Sequence, residues 1–96
     1  MSNQTFLVVV YDISDDKRRT RLHDRLRDYG TPVQYSVFEC LLDAKQQAKM
    51  MAMIKRTIRV KSDHVRIYTV CDGCLKKTWI SDAGQDVLAE TTSIVV

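Results

Sequence analysis

An acidic residue, Asp12, directly follows a continuous apolar run from Phe6 to Tyr11. A run of this length, bounded by polar residues, predicts a strand buried on both faces. Proteins often place ligand and catalytic groups where such a strand ends. Asp12 is therefore a candidate ligand for Mg²⁺, which typically takes one or two carboxylates and keeps several waters. A cation held there would activate water for attack on a phosphodiester and offset charge on the phosphate oxygens.

One carboxylate per chain is a small donor set for such a site. A two-fold symmetric homodimer would bring two copies of Asp12 together and make the site more credible. The alternative is that Asp12 only shapes the turn into the next helix, together with Ser14, Asp15 and Asp16. The residue pattern alone favours the two interpretations equally.

Basic residues are the second group with possible chemistry. Arg18 and Arg19 lie in the first turns of the predicted helix, where guanidinium groups could clamp phosphate oxygens. The same spacing allows them to pair with nearby aspartates instead. Residues 45–66 carry seven basic side chains against one acidic, which suits a phosphate backbone, although a solvated helix face is the simpler interpretation. The candidate nucleic-acid or dimer contacts are Arg18, Arg19, Lys45, Lys49, Lys55, Arg56 and Arg59.

Cys71 and Cys74 form a CxxC motif, which suggests zinc or redox chemistry. A structural zinc site needs four ligands, and Cys40, His23 and His64 show no paired spacing. A thioredoxin-type CxxC begins a helix after a strand, whereas this one is predicted at a turn between two strands. We therefore expect two reduced thiols near a hairpin. His64 precedes a predicted strand and could touch substrate, although a loop histidine is the simpler interpretation.

The elements that position these residues follow from hydrophobic spacing. Strands are predicted at 6–11, 33–41, 65–71 and 75–80; helices are predicted from 14 or 15 to about 28, ended by Gly30, and from 43 to 57. Leu22, Leu26 and Tyr29 should form the buried side of the first helix, and Met51, Ile54 and Ile58 that of the second. The pattern suits an α+β, ferredoxin-like βαββαβ sandwich with an extra C-terminal strand. Both helices then cover one face of the sheet, and the other face meets solvent, nucleic acid or a second subunit.

The chain has 96 residues, 45% of them hydrophobic, and a net charge of +3, which leaves room for one domain. We expect this domain at 1–80 and a polar, acidic tail at 81–96. The apolar end of that tail, Ile94, Val95 and Val96, should pair with a sheet edge of this chain or of a neighbouring one; the alternative is a frayed terminus. No apolar run is long enough to span a membrane. The start of the chain lacks the features of an export signal, so a cytoplasmic location is expected.

Several motifs together resemble the small CRISPR-associated proteins called "Cas two". They are Val10-Tyr11-Asp12-Ile13, Asp15-Asp16-Lys17-Arg18-Arg19, Leu26-Arg27-Asp28-Tyr29-Gly30 and Gln34-Tyr35-Ser36-Val37-Phe38-Glu39. The resemblance covers the first 40 residues strongly and the remainder by length and element order. It implies a ferredoxin-like homodimer, Mg²⁺ bound by Asp12 across the dimer axis, and docking of the CRISPR integrase "Cas one" by the C-terminal segment.

The resemblance also implies a role in spacer acquisition and a metal-dependent endoribonuclease or endonuclease activity with Asp12 as the catalytic residue. A catalytically silent scaffold that bridges duplex DNA for the integrase is an alternative. A second alternative is a toxin-like mRNA endonuclease on the same fold. The substrate, RNA or duplex DNA, stays open at this point.

Overall fold

The computed structural model describes residues 3–77. The elements in chain order are β1 (Thr5–Asp12), α1 (Asp16–Leu26), β2 (Gly30–Gln34), β3 (Val37–Leu42), α2 (Ala44–Thr57), β4 (His64–Val70) and α3 (Asp72–Lys76). The strands form one antiparallel sheet in the order β2-β3-β1-β4. This βαββαβ order confirms the ferredoxin-like prediction. The predicted C-terminal strand and the tail 81–96 lie outside the described residues.

The two long helices pack on the same face of the sheet. That face carries Leu7, Val9 and Tyr11 of β1, which join a single core cluster with residues of both helices. Leu22 and Leu26 are fully buried, as their spacing in α1 predicts. On α2 the buried residues are Met50, Met53, Ile54 and Thr57. The prediction was right for Ile54, and Ile58 packs against the core, but it was wrong for Met51, which is exposed while its neighbour Met50 is buried.

The opposite face of the sheet has no helix over it among the described residues. It carries Val8, Val10 and Asp12 of β1, because successive side chains of a strand point to opposite faces. We call this side the open face. Apart from Asp12, its β1 residues are Phe6, Val8 and Val10, which are half-buried or buried, so the β1 strip of this face is apolar.

Both long helices begin directly after an aspartate, but only one of these aspartates makes a capping hydrogen bond. α2 begins after Asp43, whose side chain accepts from the backbone N–H of Gln46 at 2.8 Å while the Gln46 side chain accepts from the Asp43 N–H at 2.9 Å. This reciprocal pair satisfies two of the amide donors that a helix start leaves open. α1 begins after Asp15, which makes no such side-chain bond.

Three sequence predictions were wrong. The single strand 33–41 is two strands, β2 and β3, joined by a turn at Tyr35 and Ser36, where Ser36 adopts a φ of 62°. Gly30 does not end a helix in a left-handed conformation; it begins β2, and a Cβ there would lie 2.4 Å from the backbone oxygen of Glu39. Residues 75 and 76 belong to α3 rather than to a fourth strand, so the CxxC begins a helical turn and not a hairpin. Residues 78–80 of that predicted strand lie outside the described residues.

Candidate metal and nucleic-acid site

Asp12 is the last residue of β1, and its side chain is exposed. Its direct partner across the antiparallel β1–β4 ladder is His64, the first residue of β4, which is also exposed. Directly opposed residues place their side chains on the same face, with Cβ atoms roughly 5 Å apart. The fold therefore puts a carboxylate and an imidazole side by side at one end of the open face.

These two residues line a shallow groove of about 720 Å³ on the open face. Further along the groove lie Arg66 and Tyr68, which alternate with inward-facing residues of β4 and so share the face of His64. The Tyr68 hydroxyl lies near the Arg66 guanidinium and raises its pKa, and Tyr68 is 50% exposed. One groove thus contains four kinds of side chain in succession: a carboxylate, an imidazole, a guanidinium and an exposed aromatic ring.

One chain supplies a single carboxylate for Mg²⁺, so water would have to fill most of the coordination positions of the ion. The described residues contain no group of three or more histidine, cysteine or acidic side chains that could hold a metal ion. Mg²⁺ is commonly held by one or two carboxylates with water completing the octahedron. Asp12 satisfies that minimum, and a second Asp12 from another copy would raise the number of carboxylates to two.

Arg18 is held next to the groove in an ion pair whose Asp63 end is buried and whose Arg18 end is partly exposed. Its Nε donates to Asp63 Oδ2 at 2.7 Å and its Nη2 to Asp63 Oδ1 at 3.1 Å, while its Nη1 donates to Asp15 at 3.0 Å. The pairing with Asp15 is the alternative that the sequence spacing allows. A contact between Arg18 and nucleic acid or a second subunit stays a prediction.

Asp63 is a fully buried carboxylate that collects donors from two elements. Besides Arg18, it accepts from the backbone N–H of Arg59 at 2.8 Å and from the Ser62 hydroxyl at 3.2 Å. The bond from Arg18 is the main reason that the pKa of Asp63 is lowered to about 2. Because Asp63 immediately precedes His64, this ion pair ties α1 to the point where β4 begins opposite Asp12.

Arg19 faces a different part of the molecule. Its Nη1 donates to the Ile13 carbonyl at 2.9 Å, and its Nη2 pairs with Asp16. Together with Tyr11, His23 and Tyr35 it lines a smaller cleft, about 240 Å³, between α1 and the β2–β3 turn. Tyr11 points to the helix-covered face, so this cleft and the Asp12 groove lie on opposite sides of the sheet.

The other predicted basic contacts do not reach the groove. Lys45, Lys49, Lys55 and Arg56 lie exposed on α2, on the far side of the sheet from Asp12, and Arg59 lies in the loop that follows. None of these five residues forms an ion pair with another residue between 3 and 77. They form a basic surface separate from the groove. The predicted docking residues Ile94, Val95 and Val96 lie outside the described part of the chain.

Sequence reasoning missed several residues of the site. Tyr68 and Asp63 received no role, and His64 was not connected to Asp12. A signal was available: in an antiparallel β1–β4 pair the start of β4 must lie opposite the end of β1. Glu39 was also missed; it lies on the open face, and its buried Oε1 has no hydrogen-bond partner within residues 3–77. Burial raises the pKa of this carboxyl.

The family model described as "CRISPR associated protein Cas2" matches residues 5–78. A protein of Synechocystis named "CRISPR-associated endoribonuclease Cas2 1" is 39% identical over 75 residues, covering 74% of this chain and 80% of the relative. One of Chloroflexus aurantiacus, "CRISPR-associated endoribonuclease Cas2 3", is 38% identical over 79 residues, covering 82% and 85%. The crystal structure of Streptococcus pyogenes Cas2 at pH 6.5 superposes with a TM-score of 0.68 at 26% identity, covering 76% of this chain and 94% of that one.

Proposed function

Because the chain belongs to the Cas2 family of CRISPR-associated proteins, whose curated members are named as endoribonucleases or endonucleases, we propose that it is a divalent-cation-dependent endonuclease of CRISPR spacer acquisition. The observation that carries this proposal is the exposed Asp12 carboxylate in a groove shared with His64 and Arg66. A cytoplasmic location is part of the same proposal. Within residues 3–77, no helix has the length and apolar character needed to cross a membrane.

Asp12 is the residue that would hold the cation, Mg²⁺ or another divalent ion. The chemistry that the bound ion supplies is a lowered pKa for the attacking water and neutralisation of charge on the phosphate. Asp12 can accept this role because it is exposed and forms no ion pair with another described residue. His64 beside it offers a hydrogen bond to the sugar-phosphate chain that enters the groove.

The rest of the groove suits a single strand of nucleic acid. The exposed Arg66 guanidinium can bind phosphate oxygens in bidentate fashion. The half-exposed Tyr68 ring can stack on the face of an unpaired base. A base inside a duplex does not expose that face, because its neighbours in the helix cover it. The groove therefore favours a single strand, and the endoribonuclease names of the relatives favour RNA as that strand.

A homodimer is the second part of the proposal. The open face presents half-buried apolar side chains, among them Val8, Val10, Val37 and Leu41, with no described element over them. A sheet face of this composition is normally covered. A second copy packed about a two-fold axis on the β1–β3 side of this face, with Arg66 and Tyr68 of β4 left at its edge, would cover these residues and bring two Asp12 carboxylates toward one ion.

The basic surface favours a second function, as a scaffold for duplex DNA. Lys45, Lys49 and Arg56 repeat at helical spacing on the outer face of α2, without ion-pair partners among the described residues. Such a row can follow a phosphate backbone without reading its sequence. In this role the chain would hold DNA for the integrase "Cas one", and Asp12 would not be needed.

The two functions separate in one pair of assays. Purified full-length protein and Asp12→Asn are incubated with labelled single-stranded RNA and with duplex DNA, in Mg²⁺ and in chelator; duplex binding is measured in parallel. The nuclease proposal predicts cleavage that requires both Mg²⁺ and Asp12. Absence of cleavage by the unmodified protein on both substrates, with duplex binding retained, would contradict it and support the scaffold.

A further inference from the structure

The Cys71-Asp72-Gly73-Cys74 motif lies at the opposite end of β4 from the candidate metal groove. Cys71 directly follows the strand, and Cys74 lies within α3. Six residues of β4 separate Cys71 from His64, the partner of Asp12, a distance of roughly 20 Å along the strand. The inference below rests on the contacts of the motif itself and not on the function proposed above.

The two cysteines contact each other. The backbone N–H of Cys74 donates to Cys71 Sγ at 3.4 Å. The Cys74 thiol is near enough to the Cys71 sulfur that each affects the pKa of the other. Both residues are exposed. Two exposed cysteines three residues apart, the N–H of one bonded to the sulfur of the other, lie close enough in the chain for an intramolecular disulfide to be tested.

The contact makes the two thiols chemically unequal. The N–H of Cys74, followed by its thiol, stabilises the Cys71 thiolate and lowers the pKa of Cys71. The same thiol contact raises the pKa of Cys74, because its proton is shared with Cys71. In thiol–disulfide exchange the thiolate is the nucleophile. Cys71 is thus the attacking residue and Cys74 the resolving one.

The third cysteine, Cys40, differs from this pair in burial and in pKa. Cys40 is 0% exposed in the core, and burial raises its pKa to about 11. Such a thiol neither ionises at neutral pH nor meets a reagent in the folded protein. Reactivity in the native state should therefore belong to Cys71 and Cys74 alone.

We propose that Cys71 and Cys74 form a reversible dithiol–disulfide couple that exchanges with low-molecular-weight disulfides such as oxidised glutathione. The Cys71 thiolate attacks one sulfur of glutathione disulfide, whose S–S bond breaks and releases one glutathione thiolate. Cys74 then loses its proton to solvent and attacks the Cys71 sulfur of the mixed disulfide, releasing the second glutathione thiolate. The protein loses two electrons and two protons, and one glutathione disulfide is reduced to two thiols.

The test uses reduced full-length protein at neutral pH with oxidised glutathione and chelator, followed by alkylation in denaturant and intact-mass measurement. The unmodified protein is expected to lose two alkylation sites, to retain no glutathione, and to keep Cys40 as its alkylated residue. Accumulation of a stable glutathione adduct, a disulfide-linked dimer, or oxidation that consumes Cys40 would overturn the proposal.

Two single variants test the assigned roles. Cys74→Ser should stop at a glutathione adduct on Cys71, because the resolving thiol is missing. Cys71→Ser should react more slowly than Cys74→Ser, because only the Cys71 thiolate accepts the backbone N–H of residue 74, which the Cys74→Ser variant retains. Equal rates in the two variants would overturn the assignment. Both substitutions are at exposed positions, and circular dichroism checks that each variant is folded.

Discussion

Asp12 and His64 are direct cross-strand partners at one end of the open face, although 51 residues separate them in the chain. The Arg18–Asp63 ion pair holds the residue immediately before His64. The groove that contains Asp12 is thus fixed from both sides: by the end of β1, and by a buried carboxylate that anchors the start of β4. This relationship leads to predictions for stability, for the sheet, and for activity.

Replacing Asp63 by Asn should destabilise the protein by about 2 kcal/mol, because it removes charge-assisted hydrogen bonds from Arg18 and leaves that guanidinium poorly matched. It should also lower cleavage, since the start of β4 loses its anchor. The free energy of urea unfolding measures the first effect. Asp28→Asn, an exposed carboxylate with no side-chain partner among the described residues, is the matched control and should leave both quantities unchanged.

The Asp63 pair also predicts a pH dependence. The folded-state pKa is about 2, below the ordinary value of 3.8, so the unfolded chain binds the proton more tightly. The stabilisation is therefore fully present above about pH 4 and is lost as the pH falls toward 2. The unfolding free energy of the unmodified protein should fall more steeply across this window than that of Asp63→Asn. Parallel pH profiles of the two would contradict the assignment.

Gly30→Ala should cost about 2 kcal/mol of unfolding free energy, as overpacking against a rigid neighbour does. A Cβ at Gly30 would lie 2.4 Å from the Glu39 backbone oxygen and 2.5 Å from Cys40 Sγ. Gly73→Ala is the control, since a Cβ there meets nothing within 4 Å, and alanine suits a helix. In thermal unfolding, the midpoint temperature of Gly73→Ala should equal or exceed that of the unmodified protein. An equal loss of stability in both variants would contradict the close approach of Gly30 to β3.

Glu39→Gln should raise stability at pH 7, by less than about 1 kcal/mol because the carboxyl is still partly solvated. Burial raises the pKa of Glu39, so the folded protein binds this proton more tightly than the unfolded chain. Its contribution is most favourable below the ordinary pKa of 4.5 and is lost as the pH rises through the raised value. The gain from Gln should therefore shrink toward pH 4, which urea unfolding at fixed protein concentration measures. A gain independent of pH would show that ionisation is not the cause.

The basic surface of α2 should determine the salt dependence of duplex DNA binding. Replacing Lys45, Lys49 and Arg56 by Ala should reduce the slope of log affinity against log salt by about 2 to 3, close to 0.9 for each lost phosphate contact. The control is a second triple variant, in which Lys17, Arg21 and Arg27, in or next to α1, are replaced by Ala. It removes the same number of charges from a different surface. Equal slopes in both triple variants would mean that binding follows net charge rather than this surface.

Much of the fold could be predicted from local signals. The Val8–Val10 run indicated the central strand, and Asp43 with Gln46 marks the start of α2. The β2–β3 turn was missed because alternation continues through it and Ser36, not glycine, takes the positive φ. Gly30 looked like a helix terminator, whereas its lack of a side chain serves the contact with β3.

The site was only half predictable for a different reason. Asp12 could be found because a strand end is a local feature. Its neighbour His64 and the Arg18–Asp63 pair depend on long-range register, which hydrophobic spacing does not specify. The CxxC was predicted at a turn between two strands, because the residues after it were predicted to form a strand; the structure has the helical turn α3 there instead.

The measurement that tests the central claim most directly is the rate of single-stranded RNA cleavage as a function of Mg²⁺ concentration, for the unmodified protein, Asp12→Asn and Asp28→Asn. The unmodified protein and Asp28→Asn should share one saturable curve and be inactive in chelator. Asp12→Asn should be slower by at least about 100-fold at every Mg²⁺ concentration, because the cation and its several kcal/mol of transition-state stabilisation are lost. Cleavage by Asp12→Asn at the rate of the unmodified protein, or undiminished cleavage in chelator, would contradict the account.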